Sequence, residues 1–257
     1  MNPKIKRKMG KLNLRKFSFK TGLVVLFLAL LGLGIFYNLK QTGAAVTNKS
    51  NVFIYDNGAG SNATTIRDAL GVSNYNITVS TTMPSQVTLN TYDAVIFAAG
   101  SIATPISTAE RDALNAYLNS GVGHLIMEGA NVLNSHIGDS VITGNILKLN
   151  DWGTATRNPA TIRINNTYHP VTSGVPSGSY TTNLRAFTSS GTNLGSWTQE
   201  DRPMYLLSAW EGSKRKRMVF VGFNWGGWPA ASRNPLINNA VKWVSDFAEV
   251  ELTNRAP

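Results

Sequence analysis

Five apolar runs separated by polar turns and helix-like stretches organise the chain beyond its first fifty residues. NVFIYD (51–56) is nearly continuous in apolar character and closes on an acid and a glycine-containing loop. NITVSTT (76–82), YDAVIFAAG (92–100), GHLIMEG (123–129) and KRMVFVGF (216–223) read as four further strands. Between them, SNATTIRDALG (61–71) sets Ile66, Ala69 and Leu70 on one helical face, behind a Ser or Asn cap and before Gly71. STAERDALNAYLNSG (107–121) repeats the pattern with Ala109, Leu114, Tyr117 and Leu118, and a short helix is expected through Val132 and Leu133. Asn234 to Phe247 closes the chain with Leu236, Ile237, Ala240, Val241, Val244 and Phe247 at helical spacing. Runs such as VFIY, AVIFAA and HLIM suit strands buried on both faces. Their alternation with helices predicts right-handed crossovers and a flavodoxin-like, mostly parallel sheet with helices on both faces. The stretch 137–215, rich in Gly, Asn, Thr, Trp and Pro, departs from this pattern. It predicts a β-rich insertion of hairpins at one end of the sheet, carried by TIRI, LRAFTS and PMYLLSAW.

One apolar run lies outside this alternation. Thr21–Leu39 carries no charge, and nineteen helical residues at about 1.5 Å each reach roughly 28 Å, close to a bilayer's hydrocarbon thickness. It follows a basic arm (1–20) with eight Lys or Arg and no acid. The expectation is a transmembrane anchor at 21–39, a tether at 40–50 and one α/β domain over 51–250. The arm is cytoplasmic and the domain extracytoplasmic by the positive-inside rule. A cleaved signal peptide is the competing reading, with Gly43–Ala45 as the small-residue site.

Charge follows the same division. The net charge is +10, yet all fourteen acids fall after residue 40, where fifteen basic residues stand against them. The excess belongs to the arm and points to membrane lipid rather than nucleic acid as partner. KRKR (214–217), directly before a strand, reads as a solvated turn. The absence of cysteine excludes disulfides, zinc–thiolate sites and a Cys nucleophile. Asn48, Asn62, Asn76 and Asn165 head Asn-X-Ser/Thr triplets, consistent with an exported glycoprotein.

Sites in open α/β sheets lie beyond the carboxyl ends of the strands, which here carry Asp56, Gly100, Glu128 and Asn224–Trp225–Gly226. LIMEGAN at the fourth strand, YHPVTSGVPSG (168–178) and the ending RMVFVGFNWGGW with NPLINNAVKWV resemble the class I glutamine amidotransferase-like superfamily. The likeness is to its divergent, trehalose-utilisation-like and surface-protein branches, over about residues 50–247. The resemblance implies a Cys at the elbow after the fourth strand and a His and Glu after the late strand. The matching positions here are Glu128, Asn224 and Gly226, so the resemblance implies loss of amidotransfer, with only Gly100 surviving at the oxyanion loop.

Other chemistry is open at this stage. Glu128 with His169, and Asp56 nearby, would make an acid/base pair for a hydrolase-like enzyme, with saccharides as one substrate class. His124 lies at the wrong end of its strand, and His136 is expected on a helix surface or in a loop. Trp225 and Trp228, with Trp210 and Trp152, would line a sugar-binding crevice. Against both stands the favoured expectation, a non-catalytic, membrane-tethered module with protein partners or self-assembly at the cell surface. It needs no cofactor and no metal.

Overall fold

A computed structural model describes residues 49–254 apart from 59, 102–105, 131, 133–135, 137, 153–159, 181–183, 185, 198–204 and 214–215. The predicted basic arm, the anchor at 21–39 and most of the tether lie outside the described residues, as do Asn48 and Leu133. Lys49–Pro257 groups as one compact unit. Among the described residues no helix is long and apolar enough to cross a membrane.

The five predicted strands appear as β1 (Asn51–Asp56), β2 (Asn76–Ser80), β3 (Ala94–Gly100), β4 (His124–Gly129) and β11 (Arg217–Val221). They pair in parallel in the order β2-β1-β3-β4-β11. Their alternating side chains feed two layers. Val52, Ile54, Ile96, Ile126, Val219 and Val221 pack with helix α1 (Ala63–Leu70) and helix α4 (Ala230–Asn254). Phe53, Tyr55, Phe97, Met127, Met218 and Phe220 pack on the other face with helix α3 (Thr108–Asn119) and the π-helix Val141–Ile146. Ser107 and Glu110 cap α3 reciprocally, side chain to backbone, which fixes its start where the sequence placed it.

Two features correct the sequence reading. The insertion between β4 and β11 is β-rich, and its strands lie together at one end of the strand order. It extends the sheet sideways, through β10 (Tyr205–Glu211), β9 (Thr192–Trp197), β6 (Ala160–Ile164) and β7 (Gly178–Tyr180), all antiparallel. With β5 (Leu149–Trp152) and β8 (Phe187–Ser189), the described residues form an eleven-stranded mixed sheet rather than a mostly parallel one. Helix α4 also opens at Ala230, not Asn234. The Ser232 and Arg233 amides both bond Pro229 O, so its first turn is complete before Pro235, which the helix then accommodates. The short helix α2 (Gln86–Leu89) and the π-helix had no distinct pattern.

Candidate functional site

The strand order 2-1-3-4 turns at β1 and β3, which places the switch point of this sheet between the carboxyl ends at Asp56 and Gly100. The chain folds tightly over that point. Asp56 Oδ1 accepts from the Gly58 amide at 3.1 Å and from Ser61 Oγ, and Ser61 Oγ accepts from the Ala63 amide at 3.1 Å. This draws the loop across Gly100, whose φ of +61° and approach to Gly60 O leave no room for a side chain. A Cβ there would sit 2.3 Å from that oxygen.

Glu128 occupies the centre. It is wholly buried at the end of β4 and its carboxylate gathers donors from three separate segments. Oε1 accepts from Asn62 Nδ2 at 2.6 Å and from the Trp225 amide at 2.7 Å, and Oε2 accepts from the Gly100 amide at 3.1 Å. Asn62 Nδ2 also donates to Asn224 Oδ1 at 2.5 Å, and that oxygen accepts from the Gly226 amide at 2.7 Å. Burial pushes Glu128 up to about 7, while the Trp225, Asn62 and Gly100 donors pull against it. Gly100, Glu128 and Asn224 thus come together as the sequence placed them, while Asp56 holds the neighbouring loop through Gly58 and Ser61. Asn62, expected as a helix cap or a glycosylation acceptor, is the residue whose binding role the sequence did not reveal. Asn62 is 6% exposed and its amide is committed to Glu128 and Asn224, so the triplet at Asn62 is closed to a glycan in the folded chain. Asn76 and Asn165 are exposed.

His169 does not join this group. Its Nδ1 accepts from the Val171 amide at 3.2 Å, and its ring lies 5.1 Å from that of Trp243, which also carries the Arg217 guanidinium at 4.6 Å. Burial, with Arg217 nearby, holds the imidazole below its usual pKa. Arg217 pairs with His124 at the amino end of β4, whereas Val221 pairs with Glu128. Four residues at about 3.3 Å each separate those levels by roughly 13 Å, so Glu128 and His169 stand at opposite ends of the sheet and form no acid/base pair. His136, expected on a helix surface or in a loop, lies outside helix and strand but is buried, and its Nε2 accepts from the Ile106 amide at 2.7 Å.

The tryptophans correct the crevice expectation too. Trp225 and Trp228 are 0% and 1% exposed and belong to the core on the α1/α4 face, where Trp228 meets Phe223 edge to face. Trp210 packs on the opposite face under Lys148 Nζ, and the side chain of Trp152 lies outside the described residues. A cleft of about 430 Å³ opens elsewhere, between the β2–α2 turn and α3, lined by Tyr55, Thr82, Met83 and Glu110 among others. Tyr55 Oη donates to Glu110 there, and burial with that neighbour raises the phenol's pKa. Among the described residues no cluster of His, Asp or Glu is arranged to hold a metal ion.

No protein-family model matches the sequence, and no curated protein sequence matches it. Solved structures do share the fold. A ThuA-like protein from Bacteroides uniformis superposes with a TM-score of 0.54 at 17% identity, covering 79% of this chain and 94% of that one. A GMP synthase component from Thermoplasma acidophilum gives 0.53 at 9% identity, over 80% and 98% of the two chains. A β-galactosidase from Bacillus circulans gives 0.55 at 12% identity, and the match takes in 79% of this chain but 33% of that one. At these identities the likeness is one of fold alone, an α/β fold shared with these three proteins.

Proposed function

We propose that this chain is a non-catalytic interaction or scaffold module of amidotransferase-like fold, held at a membrane by Thr21–Leu39 with its domain on the extracytoplasmic side. The observation that carries the non-catalytic part is the state of Glu128. The resembled family places its nucleophilic Cys at this position and its His and Glu at those of Asn224 and Gly226. Here the three form a brace. A carboxylate with no exposed surface and three N–H donors is poorly placed as a nucleophile or proton shuttle, because no reactant reaches it and both its oxygens are engaged. The brace ties the ends of β3 and β4 to the cap of α1 and the turn after β11, at the place where open α/β sheets usually leave a crevice.

The membrane part rests on the uncharged Thr21–Leu39 stretch and the basic residues before it. Anchored, catalytically silent domains act through their surfaces, which makes protein partners or further copies of the chain the ligands of this module. The test is extraction of the full-length protein in mild detergent, followed by native mass and cross-linking. A stoichiometric assembly is expected. A lone monomer that hydrolyses a saccharide substrate, with the activity lost in Glu128→Gln, would overturn the reading.

A further inference from the structure

The eleven-stranded sheet ends on β2, which pairs with β1 on one side and with no described strand on the other. Exposed edges are ordinarily blunted by Lys, Pro, bulges or a covering element, because their free N–H and C=O groups template another strand. From Asn74 to Met83 this edge has no charge and no proline. Three large apolar side chains stand exposed on or beside it, namely Val72 at 69%, Val79 at 41% and Val87 at 73%.

The direction of its backbone groups decides how the edge pairs. The Asn76 amide bonds Ser50 O, on the β1 side. Alternation then turns Asn76, Thr78 and Ser80 toward β1 and leaves the N–H and C=O of Ile77 and Val79 pointing outward. Two copies meeting antiparallel about a two-fold axis at Thr78 bring Ile77 opposite the partner's Val79, and Val79 opposite the partner's Ile77. Those are the residues with free main-chain groups, and each such pair exchanges both its hydrogen bonds. The side chains agree with the same register. Ile77 against Val79 is a β-branched pair on the α1 face, while Thr78 meets Thr78 and Asn76 meets Ser80 on the other. With no charge on the strand, self-pairing sets no like charges against each other.

We propose that β2 is the self-association surface of this module, joining two copies into one continuous sheet through an isologous antiparallel pair centred on Thr78. This rests on the interaction-module reading and names a second copy of the chain as its partner. A glycan on Asn76, opposite the partner's Ser80, would compete with the pairing.

The chain has no cysteine, so single introduced thiols report the geometry directly. Thr78 lies on the axis as a non-hydrogen-bonded pair, with Cα atoms about 4.5 Å apart and within disulfide reach. Ser80 is four positions from its symmetry mate, roughly 13 Å away and out of reach. Full-length Thr78→Cys in mild detergent is expected to form a disulfide dimer on mild oxidation, at least about tenfold faster than Ser80→Cys. Val79→Lys is expected to halve the native mass with an unchanged thermal midpoint. Equal cross-linking of the two thiols would overturn the register. A multimer that survives Val79→Lys, with Thr78→Cys unlinked, overturns this surface and leaves the module reading standing. A monomeric wild-type protein together with an unlinked Thr78→Cys variant overturns both.

Discussion

Strands β4 and β11 end in two polar clusters roughly 13 Å apart, and the clusters solve the same problem differently. At the carboxyl end an anion, Glu128, is surrounded by N–H donors from Asn62, Gly100 and Trp225. At the amino end a cation, Arg217, lies over the face of Trp243, bonds its carbonyl, and meets Glu211 at 3.3 Å, with His124 across the ladder and His169 on the same indole. One end uses peptide dipoles and the other a π face and a carboxylate. Titratable groups with displaced pKa values occur at both, and at both burial is the largest cause. Perturbed titration marks burial here, and geometry has to decide whether burial serves chemistry.

The contrast breaks first at Glu128. Glu128→Ala strips three buried N–H donors of their acceptor and is expected to cost on the order of 4 kcal/mol, read as a lowered urea midpoint; Glu128→Gln, keeping one oxygen, should cost about 2 kcal/mol. At the other end Trp243→Ala removes a 94%-buried indole along with the seat of Arg217 and His169, and about 3 kcal/mol is expected. A loss at Trp243 larger than that at Glu128→Ala would reverse the ranking of the two clusters.

The two ends also respond to pH with opposite sign. Glu128 sits near 7 when folded against 4.5 for a free carboxyl, so its contribution is present at low pH and is lost as pH rises through about 7. His124 is held near 4 by burial and by Arg217, against 6.5 for a free imidazole, so its contribution is present above 6.5 and is lost as pH falls through about 4. Between about 4.5 and 6.5 the slopes oppose each other. Glu128→Gln should leave a thermal midpoint that falls on acidification across that window. His124→Gln should leave one that falls on alkalinisation. Parallel pH profiles for the two variants would contradict the opposite directions of these two shifts. The smallest effect concerns Asn62. Expressed where glycosylation occurs, the folded protein should carry no glycan there, by peptide mass, since its amide is committed to Glu128 and Asn224.

Local pattern carried the parallel half of the fold. VFIY, AVIFAA and HLIM announce buried strands without help from distant residues, and the Ser107–Glu110 box announces α3. The antiparallel half was legible as β-prone runs but not as sheet extension, and β5, β7 and β8 are only three or four residues long. Which neighbour each would join depends on β10 pairing with β11, not on any local signal. The same limit applies at the site. Strand ends brought Gly100, Glu128 and Asn224 to one place, as topology requires. His169 follows no strand end; its position is set by Trp243, seventy-four residues later, which spacing does not encode. Trp225 looked ligand-facing from its place after β11. A single 3₁₀ turn from Trp225 to Gly227 instead turns its indole into the core while its amide caps Glu128. The one available hint of Asn62's role was a polar cap residue lying just beyond the end of β1.

Amide hydrogen exchange at Gly100 and Trp225 tests the closed brace most directly. With Glu128 accepting from both, the two amides should exchange as slowly as core amides of β3, and both should lose protection together in Glu128→Ala while Ile96 keeps its own. Rapid exchange of both in the wild-type protein would mean that Glu128 faces an open crevice, and the non-catalytic account would fall.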